Sequence, residues 1–355
     1  MKQEPKRCVV VGAGPRATAL AEAMQGHPEV VLAGVCDPSS SAVERFTARF
    51  TVVAAAGLDG VLAEARPDFA VVATPPERHV EDAVALIRAG VPTLVECPMV
   101  ETFAQARTLH QEARRGGVPV EMAESFCYLP GAQAMKQIAA KHLASGEGIL
   151  GGEGLYIEMD FSITPGNWRE HYEMTRYITH GLGPLLYATG HRARRVVGLD
   201  PLGRHSRSSG ALLPTVLVET DHGAVFYLAH SGLAPRPVTR WCLVGESWSL
   251  ETDPSGSFDG PVRVFEPRGE DPASGQWNTH PLSPSQLYAD QWGKGWEAER
   301  LMLSRFARQV DGAPAELGID LSLNISLAGV AAAQSAKKGG EPVAVPETDH
   351  GGVIA

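Results

Sequence analysis

No run of apolar residues in this sequence approaches the roughly 18 that a membrane-crossing helix requires, which argues against a helical membrane span. C-x-x-C pairs are also missing. The five cysteines, Cys8, Cys36, Cys97, Cys127 and Cys242, are odd in number and scattered. They suit neither a disulfide framework nor a zinc site, and they fit a reducing cytoplasm. His191, His222 and His230 lack metal-ligand spacing, so no metal is expected. There is no long basic run: Arg192, Arg194 and Arg195 form the densest cluster and read as solvated surface. With a formal net charge of -10, nucleic-acid and anionic-membrane partners are disfavoured. The first residues carry neither the apolar stretch nor the cleavage site of an export signal, so a cytoplasmic location is expected. Internal repeats and low-complexity tracts are absent as well.

What is present is ordinary in amount and specific in order. The 355 residues are 44% hydrophobic and 20% charged. That is enough for sizeable cores and, at roughly 100–200 residues per domain, for two domains. Cys8–Val11, Val30–Cys36, Phe69–Ala73, Pro92–Val95 and Val118–Met122 are short, nearly continuous apolar runs. Helical patterns lie between them at Arg16–Gln25, Ser41–Arg49, Leu58–Glu64, Val80–Ala89 and Phe103–Arg114. This alternation predicts βαβ units and a parallel sheet with helices on both faces. The character changes after about residue 123. Residues 131–144 predict one amphipathic helix, and 153–161, 213–220, 223–230 and 240–245 predict strands. Asp221-His222-Gly223 marks a hairpin turn. Residues 253–290, rich in Pro, Gly and Ser, predict long loops at a sheet edge. Trp296–Val310 and Leu321–Lys338 predict helices. The expected class is α/β, followed by an α+β half with a mostly antiparallel sheet.

Gly12-Ala13-Gly14-Pro15-Arg16-Ala17 follows the first strand and opens the first helix. It is a G-x-G-x-x-A form of the dinucleotide fingerprint. Gly12 permits the tight turn, Gly14 lets a diphosphate approach the backbone, and Ala17 lets helix and strand pack closely. The N–H groups at the helix start would bind the diphosphate. Asp37 stands 23 residues past Gly14, at the end of the second strand. A carboxylate there accepts hydrogen bonds from ribose hydroxyls and repels a 2′-phosphate, so NAD is expected over NADP. The six-residue pattern is weak alone; the strand before it, the helix after it and the acid at this distance make it specific. Residues 1–122 are therefore read as a Rossmann domain, and 123–355 as a second domain whose last helices are free to pack back on the first.

Two further strand ends carry a family resemblance. Thr74-Pro75-Pro76-Glu77-Arg78-His79 resembles the Thr-Pro-x-x-x-His turn of the Gfo/Idh/MocA oxidoreductases, and Glu96-Cys97-Pro98 falls where that family has Glu-Lys-Pro. The likeness continues through Trp168-Arg169, His180 and the helix and Pro-rich ending after Leu321, over nearly the whole chain. It implies an open-faced sheet in the second domain, a homo-oligomer (dimer or tetramer), and a sugar-like small-molecule substrate beside the nicotinamide, between the domains. It also implies cofactor contacts from Gly12, Gly14, Pro15, Arg16, Asp37, Thr74, Pro75, His79, Glu96, Cys97 and Pro98, and substrate contacts from Tyr128, Trp168, Arg169 and His180.

The departures are informative. The family Lys is Cys97 here, and the Asp three residues after the His is Gly183, so the Lys-centred proton relay is absent. A thiol with a pKa near 8.5 cannot stand in for an ammonium. Tyr177-Ile178-Thr179-His180-Gly181-Leu182-Gly183-Pro184 resembles the Tyr-Pro-Thr-His-Gly-Leu-Gly-Pro run of the NAD-dependent glycosidases of family 109. Glu124 to Tyr128 and Glu153 to Ile157 resemble two further segments of that branch, with Ser125 and Ile178 departing from it. Those enzymes oxidise a ring hydroxyl, eliminate the aglycone and return the hydride. The resemblance implies that Glu96, Tyr128, Tyr177 and His180 would carry such a cycle.

Hydride removal from a secondary alcohol needs a group to accept the hydroxyl proton. Imidazole is apt near neutral pH, which makes His180 the first candidate; a packing or capping histidine is the alternative. Tyr177, three residues earlier, would share its helical face. Tyr177 and Tyr128 could relay a proton or simply pack. Glu96 would lie at the nicotinamide edge, as a base or bonded to a backbone amide. Arg169 suits a bidentate contact to a carboxylate or phosphate, or a surface ion pair. His79 would order its turn. The expected activity is NAD-dependent hydride transfer at a secondary carbinol of a sugar, cyclitol or related polyol. The alternatives are a glycosidase, lyase or epimerase that returns the hydride, and a catalytically inactive NAD-binding sensor.

Overall fold

The computed structural model describes residues 4–157, 172–200, 213–231, 237–253, 260–268, 271–282 and 296–348. The first half, in chain order, is β1 (Lys6–Val11), α1 (Pro15–Met24), β2 (Val30–Cys36), α2 (Ser40–Thr47), β3 (Val53–Ala55), α3 (Leu58–Ala65), β4 (Phe69–Val72), α4 (His79–Arg88), β5 (Thr93–Val95), α5 (Phe103–Gly116) and β6 (Val120–Met122). The chain continues with α6 (Pro130–Ala144), β7 (Ile149–Ile157), α7 (Thr179–Thr189), β8 (Ala193–Leu199), β9 (Thr215–Thr220), β10 (Val225–Ser231), β11 (Val238–Gly245) and β12 (Ser249–Glu251). It ends with β13 (Val262–Arg268), β14 (Asp271–His280), α8 (Glu297–Val310), α9 (Gly318–Lys337) and β15 (Val343–Ala344). No helix of the described residues is long and apolar enough to cross a membrane.

These elements form two compact units. The first runs to Ser125 and includes α8 and the start of α9 through Leu323; the second begins at Phe126 and includes the rest of α9 and β15.

In the first unit six strands form a sheet of order β3-β2-β1-β4-β5-β6, with every pairing parallel. This is the doubly wound order of a Rossmann sheet, with the switch point between β1 and β4. Val9, Val10, Val71, Val72, Leu94 and Val95 are fully buried, as the continuous apolar runs predicted. Ser39 accepts the Ala42 N–H and caps α2, and Thr102 accepts the Gln105 N–H and caps α5. One strand of this sheet escaped the sequence reading. β3 is three residues long and rich in alanine, and it exists because Gly34–Cys36 of β2 offers it a pairing edge. α8 packs on α1 and β2: Phe306 meets Phe69 edge-on at 5.5 Å, and Arg308 grips Glu29 with two nitrogens at 3.0 and 2.8 Å.

β6 carries a buried acid. Glu121 accepts the Gly318 N–H at 3.0 Å at the start of α9, and burial pushes its carboxyl up to about 7. A carboxyl raised on folding contributes stability that is present below its unfolded value near 4.5 and is lost as pH climbs through about 7. At about 1.4 kcal/mol per unit, the loss is on the order of 3 kcal/mol. Thermal melts from pH 4.5 to 8 should show the wild type losing this increment, and Glu121→Gln should flatten the difference. Parallel curves for the two proteins would refute the assignment.

The second unit is built on a nine-stranded sheet of order β14-β13-β12-β11-β7-β10-β9-β8-β15. All its pairings are antiparallel except that of β10 with β7. α7 packs on β7, β10 and β11, and α6 packs on α7. β8 is tied to α9: Asn324 exchanges two hydrogen bonds with the Ala193 backbone, at 2.8 and 2.9 Å. The loops expected over residues 253–290 are corrected in part, because β13 and β14 are strands that carry the sheet to its edge. Val262 and Val264 alternate inward, and Phe265 meets Trp277 at 5.6 Å across the pair. Cross-strand pairing outweighed the turn-forming composition there. The predicted hairpin joins β9 and β10, with the Gly223 N–H donating to Thr220.

Candidate functional site

In the first unit the site is the end of the switch-point strands. β1 stops at Val11, and Gly12 turns the chain at φ +102°. A Cβ on Gly12 would stand 2.8 Å from the Ala73 carbonyl oxygen, so only glycine fits. Around Gly14 the space is open: a Cβ there would meet nothing within 4 Å. Pro15 and Arg16 are the first residues of α1, and the helix start has no side-chain cap. Uncapped amides facing open space beside a glycine suit a diphosphate. Asp37 accepts the Ala13 N–H at 2.9 Å and the Ser39 N–H at 2.8 Å, which fixes its carboxylate against the glycine turn.

The neighbouring strand ends are cross-linked. Thr74, after β4, donates its hydroxyl to Asp82 at 2.8 Å, and Pro75 precedes a short helical turn over Pro76–Arg78. The buried His79 ring places its nitrogens 2.7 Å from the Thr74 carbonyl oxygen and 2.9 Å from that of Pro98. It ties the turn after β4 to the one after β5. Glu96 follows β5. Its Oε1 lies 2.6 Å from Arg16 Nε, and its Oε2 accepts the Cys97 N–H at 3.3 Å. A second nitrogen of Arg16 lies 2.8 Å from Glu299 Oε1, on the first turn of α8. The Arg16 side chain is therefore committed to two carboxylates, while its backbone stays in the glycine turn. An arginine-paired Glu96 is an oriented charge rather than a lone base.

In the second unit the candidate residues meet around α7. Gly154 of β7 and Gly181 of α7 touch closely: a Cβ on Gly154 would stand 2.3 Å from the Gly181 oxygen. This seats the first turn of α7 on the sheet, and Trp241 Nε1 donates to the His180 and Gly181 carbonyls at 3.2 and 3.1 Å. His180, buried, then lies among rings. Phe126 stacks on it at 4.1 Å and 18°, while Tyr156 and Tyr177 meet it edge-on at 4.7 and 5.0 Å. Tyr177 does reach His180, although it precedes α7 instead of sharing its helical face. Tyr128 lies 6.1 Å from the ring of Tyr187, two turns along α7 from His180. Trp168 and Arg169 fall outside the described residues.

Tyr156 and His230 join this cluster without having been singled out for it. They are register partners across β7 and β10, and the His230 ring lies 5.2 Å from Tyr156 and 5.6 Å from Tyr177. Burial, together with the charge of His180, pushes His230 down to about 3, so it is neutral at physiological pH. The alternation Phe226, Leu228, His230 already marks it as facing inward, which was the available signal.

Comparison with known proteins decides the first unit. Residues 6–124 match the model of the "Oxidoreductase family, NAD-binding Rossmann fold". They are similar to a Gfo/Idh/MocA oxidoreductase domain. A glycosyl hydrolase family 109 protein of Saccharopolyspora erythraea is 28% identical over 279 residues, 67% of this chain and 60% of that protein. Another of that description, from Parabacteroides distasonis, is 23% identical over 48% of this chain and 47% of its own. The chain thus matches less than two thirds of either relative's length. The solved structure of levoglucosan dehydrogenase with NADH and L-sorbose matches with a TM-score of 0.82, covering 98% of this chain and 100% of that one. At 16% identity this is a likeness of fold. The glycine turn and Asp37 both lie within the stretch that matches this NAD-binding family.

Proposed function

We propose that this chain is an NAD-dependent oxidoreductase that transfers a hydride at a secondary carbinol of a sugar, cyclitol or related polyol. The observation that carries the reading is the buried imidazole of His180, seated on Phe126 and flanked by the Tyr156 and Tyr177 phenol rings, on a chain with an NAD-binding domain. The turn from Gly12 to Arg16 and the first amides of α1 would hold the diphosphate, and Asp37 the ribose hydroxyls. NAD, when bound, supplies the hydride acceptor. His180 takes the proton of the hydroxyl being oxidised. Its stacked and edge-on neighbours allow the ring little freedom to turn, so its accepting nitrogen is held in one direction. Tyr177 and Tyr128 would hold or relay protons of substrate hydroxyls, and Trp168 and Arg169 would bind the substrate. The setting is a cytoplasmic homo-oligomer. Free cysteines among the described residues support the location. Leu217 and Tyr227, paired across β9 and β10 and exposed on the sheet face away from α7, support the assembly.

A second reading, in which the hydride is returned and the net reaction is a glycoside cleavage, elimination or epimerisation, is favoured by the family 109 relatives and by Cys97 at the family's Lys position. One experiment separates the two. The purified protein is weighed by native mass spectrometry and then denatured, and the released nucleotide is identified. Near-stoichiometric retained NAD supports a recycled cofactor, while an empty protein that binds added NAD supports net oxidation. Failure to carry or bind NAD would overturn both, and a monomeric native mass would overturn the assembly.

A further inference from the structure

The first unit holds an unusual charge arrangement at the cofactor turn. Arg16, second residue of α1, has one nitrogen on Glu96 at 2.6 Å and another on Glu299 at 2.8 Å. Both acids are buried, with residue exposures of 6% and 8%. They come from elements far apart in sequence, the end of β5 and the first turn of α8. At formal charge the three groups sum to one net negative charge, since a guanidinium does not deprotonate in this range. Glu96 directly follows β5, and ligands of such sheets bind outside the carboxyl ends of the strands. In a partly desolvated place, a net charge acts on a neighbouring charge more strongly than it would in water.

The two forms of a nicotinamide cofactor differ at one point in charge: the oxidised ring carries a positive charge and the reduced ring none. Their phosphates are the same. We propose that Arg16, Glu96 and Glu299 form an electrostatic selector that favours the oxidised cofactor over the reduced one, with Glu299 supplying the unbalanced negative charge. This rests on the NAD reading above. Arg16 also acts as a positioning residue, because it turns Oε1 of Glu96 toward α1 and leaves Oε2 to the Cys97 amide and thiol, at 3.3 and 3.7 Å. α8 thereby takes part in the chemistry of the turn although no residue of it lies in a recognised cofactor motif.

The test is the ratio of dissociation constants for NADH and NAD+, measured by calorimetry on protein stripped of nucleotide. Phosphate contacts cancel in this ratio, so it reads only the ring charge and its surroundings. Glu299→Gln makes the triad neutral and should lower the ratio about five-fold, by weakening NAD+ relative to NADH. Arg16→Gln removes the cation and should raise the ratio by about as much, whatever it does to overall affinity. Arg16→Lys keeps the charge and should stay within about two-fold of the wild type. Should Glu299→Gln fail to fold, the opposition of Arg16→Gln and Arg16→Lys carries the same test. Ratios unmoved in both glutamine variants would overturn the selector while leaving NAD binding intact. A wild-type protein that binds neither form would overturn the reading beneath it.

Discussion

Replacing His180 with alanine should abolish turnover, by about 10³-fold, and leave NAD binding where it was. The imidazole is the group best held to take a hydroxyl proton, since Phe126 stacks on one face and Tyr156 and Tyr177 close on its edges. His230 cannot take over the role at physiological pH: it is fully buried and its imidazole is pushed down to about 3, too weak a base to hold a proton there. Alanine also leaves a gap among packed rings, so His180→Gln belongs in the same experiment, and a melting curve separates lost chemistry from lost packing. Titration of each variant with NAD is the second readout, because the cofactor turn belongs to the other unit. Persisting turnover in both variants would show that another group is the base. Tyr177→Phe should cost less, about ten-fold, since it removes a hydroxyl from a ring that stays in place.

Gly14→Ala should produce a protein that melts like the wild type and fails to bind NAD. A Cβ at this position meets no protein atom within 4 Å, and the backbone, at φ -80°, accepts any residue. The added methyl would stand in the space that the diphosphate must enter, and affinity should fall by about 100-fold. Gly12→Ala is the contrasting variant. Its Cβ would lie 2.8 Å from the Ala73 oxygen and 3.0 Å from the Ala73 carbonyl carbon, at a φ of +102°. Backbone must move to admit it, so stability should drop by about 3 kcal/mol or more. Melting temperatures and calorimetric NAD titrations on the two variants distinguish a binding role from a folding role. Unchanged NAD affinity in Gly14→Ala would mean that the diphosphate does not approach at this turn.

The parallel alternation of the first unit was legible because each strand and helix announces itself within its own few residues. Continuous apolar runs at Val9–Val11 and Phe69–Val72 bury on both faces, and helical patterns fill the intervals. Gly12 was legible for a related reason: a tight turn at positive φ is a demand on a single position. β3, β13 and β14 were not. β3 has too few residues to show a period, and β13 and β14 hide theirs under glycine and proline.

Sequence by itself determined the fold class and the glycine turn after β1, since both follow from neighbours no more than a few dozen residues apart. Only the tertiary structure decided what surrounds them. Arg16 finds Glu96 80 residues away and Glu299 283 residues away. His230 reaches the ring cluster through a β10–β7 register that no local pattern specifies. Side-chain periodicity states which face is buried; it does not state which distant buried group will be met there. That choice is made when the sheets order their strands and the helices dock.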